Sequence, residues 1–104
     1  MRKTLSVAAA AALFVTLTAP MSFAGPIEKA CMRSDRAGAS RSVCRCIQEA
    51  ADQTLRSGDQ RRAAKFFADP DLAQNVRIST RSADDAFWDR YKNFAATAEA
   101  YCAG

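Results

Sequence analysis

The chain has no histidine. That removes Ser-His and Cys-His nucleophile pairs, histidine metal ligands and histidine pH sensing. It has only four glycines, and no two of them frame a phosphate-cradling loop. No stretch alternates apolar and polar residues as a half-buried strand does, and no internal repeat or low-complexity segment follows residue 24. The four cysteines do not form two close pairs, as a four-cysteine zinc site requires. They also lack the Cys-x-x-Cys spacing of a redox pair at a helix start. Enzymatic, metal-binding and cofactor-dependent functions are therefore not expected. Carboxylate pairs do occur, Asp69 with Asp71 and Asp84 with Asp85. Both fall at predicted helix starts, where acids stabilise the helix dipole.

What is present begins with an export signal. Met1-Arg2-Lys3 is positive, Leu5 to Leu17 is apolar and alanine-rich, and Ser22-Phe23-Ala24 places small residues before Gly25. This is the layout of a secretory signal peptide, 1–24, cleaved after Ala24. The apolar run is shorter than the ~20 residues that span a bilayer, so no stable membrane insertion is expected after cleavage. The remaining domain, 25–104, keeps all 11 acidic residues and 13 of the 15 basic ones, so its formal charge is +2 rather than +4. The basic pI is thus partly a property of the signal, and nucleic-acid binding is not expected. Of its bases, 10 are Arg and 3 are Lys. Arginine suits fixed ion pairs and carboxylate recognition.

A domain of this size is close to the limit of what one apolar core can hold. Export and an even cysteine count then read as a disulfide framework. Cys44 and Cys46 sit ~200° apart on a helical wheel, so each must pair with a different element. A helical hairpin turning near Gly38 places Cys31 and Cys46 almost symmetrically about the turn. This favours Cys31–Cys46 and Cys44–Cys102, with the crossed pairing open.

The pattern predicts an all-α fold, a small bundle of four to five short helices stapled by two disulfides. Pro26 opens a first helix ending near Gly38. Ser40 or Ser42 caps a second, with Val43, Ile47, Ala50, Ala51 and Thr54 inward. Ser57 with Gln60 has the form of a capping box for a third, with Ala63, Phe66 and Phe67 inward. Asp69-Pro70-Asp71 starts a short fourth helix carrying Leu72 and Val76. Ser82 with Asp85 caps the longest, whose inward stripe is Phe87, Tyr91, Phe94, Ala98 and Tyr101.

Residues free to meet a partner are expected among the bases and the edge aromatic. Arg45 projects between the two central cysteines. Arg61, Arg62 and Lys65 form the outer face of the third helix, suited to an anionic partner or membrane surface. Trp88 and Arg90 flank the aromatic stripe, and both types are enriched at interfaces.

Gly25-Pro26-Ile27-Glu28-Lys29-Ala30-Cys31, Cys44-Arg45-Cys46-Ile47-Gln48, Asp59-Gln60-Arg61-Arg62-Ala63-Ala64-Lys65-Phe66-Phe67 and Ala86-Phe87-Trp88-Asp89-Arg90-Tyr91 together carry a likeness. On them the chain resembles a group of small exported bacterial four-cysteine helical proteins, often labelled arginine transporters. The resemblance spans nearly the whole of 25–104. It implies an exported helical protein with arginine as a candidate ligand, and it assigns no functional residues. The expected function is a non-enzymatic, exported (periplasmic or secreted) module that binds another protein or an envelope component. The alternative is small-ligand (arginine) binding in service of transport.

Overall fold

In the computed structural model, which describes residues 24–34 and 38–102, five helices follow one another with short connections. They are α1 (Pro26–Arg33), α2 (Arg41–Thr54), α3 (Ser57–Ala68), α4 (Pro70–Ile78) and α5 (Ser82–Cys102). The signal peptide expected over 1–24 lies outside the described residues except for Ala24. Among the described residues there is no strand, and no helix is long and apolar enough to cross a membrane. The all-α bundle stapled by two disulfides is thus the observed fold.

The core is built from one or two residues per turn of each helix. Ile27 of α1 and Ala51 of α2 are fully buried, and Leu55, Ala63, Phe66, Val76, Phe87 and Phe94 close around them. The small residues on α2 and α3 let the helices approach closely, and the rings fill the space left. Phe66 meets Phe87 and Tyr91 edge-on, with ring centroids 6.0 and 5.2 Å apart. Trp88 stacks on Tyr91 at 5.1 Å. Such pairs add to the stabilisation from area burial alone.

The helix ends differ in part from what the sequence predicts. α1 stops at Arg33 rather than near Gly38, because the Cys31 carbonyl accepts both the Ser34 N–H and the Ser34 hydroxyl. Gly38 has φ +88 and belongs to the connection. Ser40 caps α2 through the Val43 N–H. For α3 the box lies one residue earlier than Ser57 and Gln60. Asp59 accepts from the Arg56 N–H at 3.2 Å, and the Gln60 N–H donates to the Arg56 carbonyl. The first helical carbonyl of α5 is likewise that of Arg81, which accepts from the Asp85 N–H.

The disulfides are Cys31–Cys44 and Cys46–Cys102, not the favoured Cys31–Cys46 and Cys44–Cys102. The reason is the face of α2, not distance from the turn. Cys44 shares a face with Gln48, Ala51 and Leu55, all buried, and Gln48 on that face bonds to α1. Cys46 lies on the opposite edge, beside Glu49 and Gln53, facing Thr97 and Tyr101 of α5. Register along the hairpin agrees: Cys31 meets Cys44, and about one turn away Glu28 meets Gln48.

Gln48 and Gln60 are buried to 8% exposure each and form an amide network at the α1–α2–α3 junction. Gln48 Oε1 accepts from the Glu28 N–H at 2.9 Å, which supplies the N-terminal cap that Gly25 has no side chain to provide. Gln48 Nε2 donates to Gln60 Oε1 at 2.8 Å and to Asp52 Oδ1 at 2.9 Å, and Gln60 Nε2 donates to the same Asp52 oxygen at 3.1 Å. The amide of Gln48 lies so close to Gly25 that a Cβ there would collide with it. Because Gln48 is fixed by three hydrogen bonds, it cannot swing away without breaking them. Gln48→Ala is expected to cost about 2 kcal/mol by leaving buried amides unpaired. Gly25→Ala should cost a similar amount alone and almost nothing in the Gln48→Ala background. Urea unfolding of the four-member cycle checks this, and additive effects would sink the coupling.

Candidate functional site

The six expected partner-facing residues fall into three environments. Arg45 is exposed on α2, with Glu28 3.8 Å from its Nε. Arg61 and Lys65 are exposed on α3. Arg62, Trp88 and Arg90 are half-buried and held by neighbours.

Arg90 donates from Nε and Nη2 to the two carboxylate oxygens of Asp59, at 2.7 and 3.1 Å. This two-point pair ties the start of α3 to the middle of α5. The Arg90 hydrogen bond, the largest effect, holds the Asp59 carboxyl below its ordinary value, aided by the Arg56 N–H and opposed by burial. A carboxylate whose folded value is depressed contributes stability that is present above its unfolded value and lost as pH falls through the folded one. The stability difference between the natural chain and Arg90→Met should therefore be full at neutral pH. It should shrink as pH falls below the ordinary carboxyl range of about 4. Urea titrations across that range measure it, and a difference independent of pH would refute the pairing. Trp88 is not a free edge ring: it packs against the core through Tyr91. Tyr101, expected inward, is 80% exposed. It lines a shallow depression with Cys46, Glu49, Ala50 and Gln53 of α2.

Arg62 is the best positioned of the six. Its guanidinium donates to Asp84 Oδ1 at 2.7 Å and lies 4.5 Å above the Phe87 ring centroid. Asp84 also accepts from the Ser79 hydroxyl at 2.6 Å, and Ser79 Oγ in turn accepts from the Arg81 N–H. The Ser79 hydroxyl first, and Arg62 second, keep the Asp84 carboxyl below its usual range. The loop Ser79-Thr80-Arg81 is thereby fixed against α3.

These contacts frame a groove of about 470 Å³ between α3, α4 and the start of α5. Phe66, Leu72 and Val76 give it an apolar floor. Arg62, Lys65 and Arg81 stand on its rim. One carboxylate, Asp84, faces these three cations and is already engaged by Arg62 and Ser79. Among the described residues, no carboxylate lies within salt-bridge distance of Lys65 or Arg81. The groove thus offers two available cations over an apolar surface, which suits an anionic group carrying an apolar body. Lys65 and Arg62 were legible in the sequence as bases near phenylalanines. Arg81 was not, because its loop reaches α3 through tertiary contacts, Ser79 and Arg62 sharing Asp84.

Among the described residues there is no group of three or more acidic or thiol side chains placed to hold a metal ion. No family model matches the chain, and neither a curated protein nor a solved structure shows significant similarity to it.

Proposed function

We propose that the protein is an exported, non-enzymatic binding module of the cell envelope, and that the α3–α4–α5 groove takes an acidic segment bearing apolar side chains from another protein. The observation that carries this is the pairing of an apolar floor with the rim cations Lys65 and Arg81, neither of which lies within salt-bridge distance of a carboxylate among the described residues, Asp84 acting on Arg81 only from farther off. The two closed disulfides fit an oxidising compartment, and the signal-like N-terminus fits export to one. The arginine reading that the family resemblance brings is disfavoured here. A guanidinium needs a convergent carboxylate, and Asp84 is already satisfied.

The test is a titration with a labelled peptide alternating glutamate and leucine, and with its lysine–leucine counterpart. The glutamate peptide should bind and the lysine peptide should not. Lys65→Glu with Arg81→Glu should weaken binding by at least about tenfold, since like charges now face each other. Equal binding of both peptides, or no effect of the double reversal, would overturn the proposal. Calorimetric titration with millimolar arginine should give no saturable heat.

A further inference from the structure

A second charged surface lies on the α1–α2 pair. Lys29 and Arg33 of α1 and Arg41 and Arg45 of α2 line one shallow depression with Met32 and Glu28. All four bases are exposed, and Met32 is 46% exposed. The Cys31–Cys44 bridge, with its Cα atoms 5.5 Å apart, locks the two cationic rows together. Glu28 offsets them through a 3.8 Å contact to Arg45, and Glu49 lies beside Arg41 and Arg45 on the adjoining surface. Among the described residues, four positive charges less Glu28 and Glu49 leave +2 on this face, as much as residues 25–104 carry as a whole. The rest of 25–104 therefore sums to zero, so the charge is concentrated, not spread.

We infer that this face docks on the anionic phospholipid surface of a membrane. Three observations favour a bilayer over a peptide. Met32 is the single large apolar side chain lining the depression, enough for shallow insertion but not for gripping a peptide's side chains. The cations are set on two parallel rows, which suits many headgroups at once. Ala24 lines the same depression, so the chain enters the domain here. Only Thr18 to Phe23 separate Ala24 from the apolar run ending at Leu17, a reach of at most ~25 Å. While that run is attached and membrane-bound, this face is kept within that reach of the bilayer.

The experiment uses the oxidised protein purified from an exporting host and sedimentation with vesicles. One set is pure phosphatidylcholine, the other one-third phosphatidylglycerol. Binding is expected to the anionic set alone, and to vanish in 1 M salt, where the Debye length shrinks to about 3 Å. Arg33→Glu with Arg41→Glu should weaken it by about a hundredfold. Lys65→Glu with Arg81→Glu, in the α3–α4–α5 groove, should leave it nearly unchanged, which separates this proposal from the groove's. Circular dichroism and a thiol count confirm that the variants remain folded and oxidised. Equal binding to both vesicle sets, binding that survives 1 M salt, or equal loss in the two double variants would each overturn the inference.

Discussion

Opening the Cys46–Cys102 bridge is expected to lower the unfolding free energy by about 4 kcal/mol, against about 3 for Cys31–Cys44. The difference follows from the lengths spanned, 56 and 13 residues. A cross-link removes more freedom from the unfolded chain when it closes a longer loop. The longer bridge encloses α3, α4 and nearly all of α5, so it restrains most of the domain at once. Together the two reach about 7 kcal/mol, comparable with the whole stability of a typical domain, ~5–15 kcal/mol. Full reduction should therefore cause most of the helical signal to collapse without any change in sequence. Guanidinium unfolding of the Cys46→Ser/Cys102→Ser chain, compared with the oxidised and fully reduced protein, measures both quantities. A reduced protein that unfolds at the same denaturant concentration as the oxidised one would show that packing alone holds the bundle.

Phe87→Ala is expected to cost about 4 kcal/mol. The ring is 2% exposed and is among the largest fully buried side chains. It packs on Phe66 and Tyr91, and the Arg62 guanidinium lies over its face. Its removal leaves a cavity where α3 and α5 meet and takes away the surface on which Arg62 rests. The groove should suffer as well: Arg62 would lose its seat, and Asp84 with it. Phe87→Leu keeps most of the volume and should cost about 1 kcal/mol. Chemical denaturation of the two variants checks the pair of values. A loss below 1 kcal/mol for the alanine variant would mean that the neighbouring rings repack into the space.

Much of the architecture was legible in the residues. Pro26 and Pro70 marked helix starts, the apolar spacing from Phe87 to Ala98 marked the buried face of α5, and four cysteines in an export-like context marked two staples. These are local signals, set by backbone preference and helical period. Gln48 and Gln60 were not legible as core residues, because a glutamine's burial depends on what another helix offers it. Arg62 and Arg90 read as surface bases for the same reason: their carboxylates stand 22 and 31 residues away.

The disulfides draw the line between the two most clearly. By itself the sequence determined that Cys44 and Cys46 must serve different elements, since their wheel angle forbids a mutual bond. It also determined the class of fold, because helical period and capping are written residue by residue. Which cysteine met which partner was decided by the tertiary structure alone. Gln48 caps α1 from the same face as Cys44, and that contact rotates α2 so that Cys44 meets Cys31 and Cys46 is left for Cys102. The rotation of a helix about its axis is fixed by packing against its neighbours, and no residue of the helix specifies it in isolation.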